Sequence, residues 1–345
     1  TDLFEVDRTN TPVFKESQRV AFKKIVKTYM ESGVDSILAV TDSFIYPYGY
    51  EPSIPMVVPD PLNEREEYII FCKLQAEAFK LIATEFPEIR YFEPMNEPDA
   101  PSGMQLTKNG CSWNNVTANF IYPAEDEAHI LADLMWYINS AVKSVDEKCT
   151  VVLPGLCAFI STIDYLDYIY TAIESGCHPT GGEYADKDSD NYFGILNWHP
   201  YPSVISSSFD EEWIRTSWVE FNDNMYAVAK KHGDDGKKVW FTELGFTDKG
   251  FGESVEEGIG SLIKPIYETI KTKMKYVESV FWYVVGDYYD TPVSTSEDHF
   301  GLFYALGDPV GQGNPKAIAK ELYSYFHNGS TDYSSLYEVA SKYRP

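Results

Sequence analysis

Two short segments carry the residue types that acid–base and nucleophilic chemistry needs. Phe92-Glu93-Pro94-Met95-Asn96-Glu97-Pro98 and Val239-Trp240-Phe241-Thr242-Glu243-Leu244-Gly245 each run from an apolar, strand-like stretch to a glutamate. A carboxylic acid can protonate a leaving oxygen, and a carboxylate can attack an electrophilic carbon from the other face. Cleavage of a glycosidic bond needs such a pair across one pocket. A separation of about 5 Å gives a covalent intermediate and retention, whereas ~6.5–9.5 Å admits a water and gives inversion. Glu97 and Glu243 are expected to be that pair. The histidines at 129, 178, 199, 232, 299 and 327 show no HxH or HExxH spacing, and the five cysteines form no CxxC. No metal and no cofactor are therefore expected.

Alternating strands and helices must position these residues. Apolar runs predict strands at 36–40, 89–95, 150–153, 193–199, 238–243 and 279–285. Helical periodicity predicts helices over 14–32, 124–145, 163–174, 210–232 and about 254–275, with a last one opened by Pro315. A further long helix is expected to be capped by Asn63, with Glu66 as its capping-box partner. The strands are short, continuous and rich in Val, Ile, Phe and Trp, as parallel strands are when helices cover both faces. No GxGxxG or GxxxxGK[ST] follows any of them, which removes the usual support for a nucleotide-binding sheet. Charged and aromatic residues gather at strand C-terminal ends, where barrel active sites form. These patterns predict an α/β fold of the (β/α)₈ TIM-barrel type over 1–328, with six strands legible, and a polar tail over 329–345.

Composition narrows the function. The 345 residues carry 28 Lys and Arg against 53 Asp and Glu, a net charge of −25, which repels nucleic acid and anionic membranes. No apolar run approaches the ~20 residues that a membrane-spanning helix needs. With 26 Tyr, 20 Phe and 7 Trp there is ample aromatic surface for a core and for stacking on sugar rings. A carbohydrate is the expected partner, and no nucleic acid or membrane. The odd cysteine count argues for buried thiols rather than a disulfide framework. Sequons at Asn115 and Asn328 do not fix a compartment; a secreted or extracytoplasmic one is the expectation.

Asn96-Glu97-Pro98 after one strand and Glu243 ending a later one resemble the signature of glycoside hydrolase clan A. In that clan Asn-Glu-Pro follows the fourth barrel strand and a Glu ends the seventh, which implies Glu97 as general acid/base and Glu243 as nucleophile. The resemblance covers nearly the whole chain. It implies that 36–40 is the third strand, that strands one and two lie upstream of Thr1, and that the strand-two Arg of many members lies there too. Phe4-Glu5-Val6-Asp7 and the helix after it are similar to the segment following strand two. His199-Pro200-Tyr201 resembles the His-x-Tyr that clan members place near the nucleophile, and Trp282 the strand-eight Trp beneath the sugar. Phe300-Gly301-Leu302 and Gly313-Asn314-Pro315-Lys316 resemble families 39 and 5. Glu93 is similar to family 39, while Thr242-Glu243-Leu244-Gly245-Phe246 is less so.

The implied function is hydrolysis of O-glycosidic bonds in a plant- or microbe-derived oligo- or polysaccharide, with retention. The alternative is a catalytically impaired carbohydrate-binding barrel. Asn96 is expected to donate to the sugar 2-hydroxyl, Tyr201 to donate to Glu243, and Trp282 to offer a flat face. His199, Asp42 and Trp198 complete the expected substrate-binding set. Asp99, Asp287 and Trp113 fall on the same face, as sugar contacts or as ordinary loop and core residues.

Overall fold

The structure, a computed structural model, describes residues 3–41, 44–46, 56–61, 63–100, 103–106, 125–158, 162–175, 187–205, 210–247, 258–288, 296–305 and 313–342. It divides into two compact units, Thr1–Trp198 with Met225–Val239, and His199–Asn224 with Trp240–Pro345.

The first unit contains, in chain order, β1 (Phe4–Val6), β2 (Pro12–Phe14), α1 (Glu16–Glu31), β3 (Ile37–Val40), β4 (Met56–Val58), α2 (Arg65–Glu85), β5 (Ile89–Glu93), β6 (Met104–Leu106), α3 (Glu125–Lys143), β7 (Thr150–Val151), α4 (Thr162–Ser175) and β8 (Ile195–Asn197). Strands β3, β5 and β7 form a parallel sheet in that order. Parallel bridges Val152–Ile195 and Leu156–Trp198 bring β8 alongside β7. Each of these strands thus lies beside its successor, without the order reversal that marks a doubly wound sheet. The parallel, helix-covered arrangement expected from the strand composition is present.

The core of this unit lies between the sheet and its helices. Phe71, Phe92, Phe193 and Trp198 are fully buried, and Phe79 of α2 meets Phe92 of β5 edge-on at 6.1 Å between centroids, with the planes at 82°. Coverage is incomplete along β3. Of α1 only Val26 is buried, while Val20, Ile25 and Tyr29 are 56%, 48% and 51% exposed. A groove of about 490 Å³ runs here, lined by Phe22, Ile25, Tyr29, Ile37 and Ala39 among others.

Several local expectations are corrected. Residues 4–14 form an antiparallel hairpin, with Asp7 accepting the N–H groups of Thr9 and Thr11 across the turn at 2.7 and 3.0 Å. Two strands outside the expected set, β4 and β6, pair in parallel; strands of three residues are too short to show a period. Helix α2 is not capped by Asn63. Asp60 accepts the Asn63 N–H at 3.2 Å, and Glu64 reaches back to accept the Asp60 N–H at 2.8 Å, so the capping exchange sits three residues earlier.

The second unit contains α5 (Pro202–Ile205), α6 (Glu211–Arg215), the first half of α7 (Ser217–Lys231), most of β9 (Lys238–Leu244), α8 (Ile263–Lys273), β10 (Val277–Trp282), α9 (Ala317–Phe326) and α10 (Ser334–Lys342). Strands β9 and β10 are hydrogen-bonded neighbours. The helix expected over 210–232 is two helices broken at Thr216, the first capped by Asp210, whose Oδ1 accepts the Trp213 N–H at 2.8 Å. The last strand ends at Trp282 rather than 285. The expected tail holds α10, whose Ala340 is buried. No described helix is long and apolar enough to cross a membrane. Cys72, Cys149 and Cys157 are buried free thiols, as expected; Cys111 and Cys177 lie outside the described residues.

Replacing Phe92 by Ala removes a fully buried ring from the centre of the first unit. It should lower unfolding stability by about 3–5 kcal/mol, read as a fall in the urea midpoint at unchanged slope.

Candidate active site

Glu97 follows β5 in the first unit, and the chain there is bent sharply. Met95 has φ 121° and Glu97 φ 45°, and in the neighbouring loop Ala158 has φ 53°. These are left-handed conformations that residues with a Cβ avoid, each costing on the order of 1–3 kcal/mol unless the surroundings enforce it. The surroundings do so through four hydrogen bonds between the loop after β5 and the segment after β7. Glu93 Oε1 accepts the Gly155 N–H at 2.8 Å. Glu97 N–H donates to Gly155 O at 3.0 Å. Asp99 Oδ1 accepts the Cys157 N–H at 2.9 Å, and its Oδ2 accepts the Thr162 hydroxyl at 2.6 Å. Glu93 and Asp99 are both buried. The loop is therefore a clamped turn rather than a free tip. Asn96 is bridged in parallel to Gly155, and its side-chain Oδ1 is buried without a hydrogen-bond partner.

Glu243 lies near the end of β9 in the second unit, with its side chain 22% exposed. The Tyr201 hydroxyl donates to Glu243 Oε2 at 2.7 Å, the bond expected from the sequence. His199 Nδ1 stands 3.7 Å from the same oxygen, beyond hydrogen-bonding range, while its Nε2 lies 3.0 Å from Thr242 Oγ1. The segment carrying both residues is fixed by Trp218 of α7, whose Nε1–H donates to Pro200 O at 2.8 Å. Phe300 and Tyr283 hold the Tyr201 ring edge-on at 5.6 and 6.5 Å. Gly245 follows the strand where it runs closest to the next one: a methyl group there would overlap the carbonyl oxygen of Tyr283. This requirement accounts for the glycine in Thr-Glu-Leu-Gly.

Some expected contacts are corrected. Trp198 is fully buried and belongs to the core, so it offers no face to a sugar. His199 is equally buried, with Nε2 at Thr242 Oγ1 and Nδ1 near Glu243 Oε2. Asp99 is committed to Cys157 and Thr162. Asp287 accepts from Lys316 Nζ and from Gly301 N–H, both at 2.8 Å, with the Asp287 and Lys316 side chains 3% and 1% exposed. Of the two readings open for Asp99 and Asp287, their burial and bonds fit the one that gives them to the fold. Trp282 is half-buried, tilted against Phe246 at 6.0 Å, and its buried Nε1 has no partner. Asp42 and Trp113 lie outside the described residues. Sequence reasoning missed Thr162, Thr242 and Trp218, because a lone Thr or Trp carries no spacing signal.

Sequence comparison matches no family model and no curated protein. The fold, in contrast, is similar to that of several solved enzymes. A family 5 xyloglucan-specific endo-β-1,4-glucanase from a metagenomic library, solved with cellotriose, aligns with a TM-score of 0.55 at 15% identity over 94% of this chain and 80% of its own. A family 5 broad-specificity endoglucanase from Ruminococcus champanellensis, also with cellotriose, gives 0.55 at 14% identity over 90% of this chain and 76% of its own. A family 39 β-xylosidase from Caulobacter crescentus gives 0.53 at 14% identity over 94% and 61%. The chain is thus folded like glycoside hydrolases of families 5 and 39, both TIM-barrel families of clan A.

Burial pushes the Asp99 carboxyl up to about 6, against the lowering effect of its bonds from Thr162 and Cys157. The folded state therefore holds this proton at pH values where the unfolded chain, with an ordinary value of 3.8, has released it. Stability from this group is complete below the unfolded value and falls as pH rises from about 4 to about 6, by on the order of 3 kcal/mol. Asp99→Asn should remove that slope. Urea midpoints taken at pH 4, 5, 6 and 7 should show the variant gaining on the native chain as pH rises.

Proposed function

We propose that this chain is a retaining glycoside hydrolase on a (β/α)₈ barrel, with Glu97 as general acid/base and Glu243 as nucleophile. The observation that carries the reading is the setting of Glu243. A partly exposed strand-end carboxylate accepts a hydrogen bond from the buried Tyr201 hydroxyl, which orients it. Similarity of fold to glycosidases of two families supports it, as do the clamped turn around Glu97 and the Asn-Glu-Pro sequence. Consecutive parallel pairing supports the barrel.

In the first step Glu243 attacks the anomeric carbon, the glycosidic C–O bond breaks, and the Glu97 proton passes to the leaving oxygen. In the second, water attacks the same carbon, Glu97 takes its proton, and the ester to Glu243 breaks. The anomeric configuration is inverted twice and so retained. Asn96 supplies a hydrogen bond to the 2-hydroxyl, and Trp282 an apolar face under the ring. A β-linked oligo- or polysaccharide of plant or microbial origin is the substrate class, in keeping with the cellotriose bound by two of the similar enzymes.

Turnover of aryl β-cellobiosides and β-xylosides tests the reading. Glu243→Gln should reduce kcat by about 10⁴-fold or more, an order typical for loss of a catalytic nucleophile. Glu97→Ala should slow substrates with poor leaving groups far more than dinitrophenyl glycosides. Added azide should restore its rate and yield a β-glycosyl azide. Proton NMR of the first product formed should show the β-anomer; an α-anomer would exclude Glu243 as nucleophile.

A further inference from the structure

Asp99 is a costly choice for its position. It is buried, and the groups that act on it are Glu97 on its own loop, the Cys157 N–H from the segment after β7, and Thr162 and Tyr165 from α4. Behind Tyr165 stands Glu127 of α3. No lysine or arginine is among these described groups. An asparagine would make the same two contacts, its Oδ1 accepting from Cys157 and its Nδ2 donating to the Thr162 hydroxyl, without the penalty of desolvating a charge. Clamping alone does not need a carboxylate. What an asparagine cannot supply is negative charge beside Glu97.

We propose that Asp99 is a positioning residue for Glu97: it pins the left-handed turn to Cys157 and Thr162, and its carboxylate charge opposes ionisation of the Glu97 carboxyl. The assignment rests on Glu97 being the acid/base. The field is local, because both groups sit on one three-residue span and Asp99 is shielded from solvent, so it is weakly screened by salt. At neutral pH the Asp99 carboxyl, titrating at about 6, is largely ionised. Glu97 is then held protonated to higher pH, as leaving-group protonation requires.

The test needs no substrate in its first part. In protein carrying ¹³C-carboxyl glutamate, with the Glu97 signal assigned by its loss in Glu97→Gln, the Glu97 titration midpoint is compared between the native chain and Asp99→Asn. A fall of roughly 0.5–1 pH unit in the variant is expected, the size of one nearby carboxylate acting through protein. An unchanged midpoint in a folded variant overturns the proposal. Kinetics provide the second part. Asp99→Asn should move the alkaline limb of the kcat/KM profile down by the same amount and slow poor leaving groups about 5–10-fold at pH 7, with dinitrophenyl glycosides changed less than 2-fold. Equal losses on both substrate classes with the limb in place would mean a structural role only. Thr162→Val loosens the clamp and also removes a bond that favours the Asp99 carboxylate. It should lower kcat on poor leaving groups and move the alkaline limb down by less than Asp99→Asn does, and it carries the test if Asp99→Asn does not fold, unchanged kcat with an unmoved limb then overturning the proposal. Failure of the Glu97 reading is separate: Glu97→Gln would retain activity on poor leaving groups whatever Asp99 does.

Discussion

Parallel pairing carries every strand's carboxyl end to the same side of its sheet, and each local arrangement around the two glutamates depends on that constraint. In the first unit β3, β5 and β7 run side by side with β8 bridged to β7, so the segments after β5 and β7 emerge together. That is why Glu93, Glu97 and Asp99 find their partners at Gly155, Cys157 and Thr162, some 60 residues away in the chain. In the second unit β9 and β10 are hydrogen-bonded neighbours. Gly245 tolerates the close passage of the Tyr283 carbonyl only because it lacks a side chain.

Several of the polar groups buried by this arrangement satisfy one another. Glu93 and Asp99 accept backbone N–H groups that would otherwise be orphaned where the strand ladder ends. In the second unit Asp287 accepts the Gly301 N–H and the Lys316 ammonium, which also donates to His299 O, with both charges out of water. Such contacts hold strained backbone in place. Met95, Glu97 and Ala158 adopt left-handed conformations within the best-clamped region of the first unit, and strain of that kind persists where surrounding bonds over-determine the chain.

The nucleophile half uses a different device. Its carboxylate keeps one face toward solvent and is oriented by a phenol that is itself held by rings, Phe300 and Tyr283, and by the Trp218 anchor on Pro200. A hydroxyl donor fixed by apolar packing loses little conformational freedom when it forms its bond, so orientation of Glu243 costs little at the moment of reaction.

The sequence by itself determined which residues end the strands and which types stand there: Asn96 and Glu97 after β5, Glu243 in β9, and the His199-Pro200-Tyr201 run with its bond to Glu243. These were legible because buried parallel strands leave continuous apolar runs and because carboxylates at their ends are rare enough to notice. The alternation of strand and helix was legible for the same reason. Tertiary structure alone decided which polar side chains face a cleft and which are consumed by the fold. Asp99, Asp287, His199 and Trp198 all read as candidates for a ligand, yet each is buried against residues far away in sequence. It also decided the break at Thr216, the β4–β6 ribbon and the helix within the supposed tail. Burial and hydrogen-bond partnership are properties of the neighbours that folding brings, and a one-dimensional pattern carries the type of a side chain but not what it will touch.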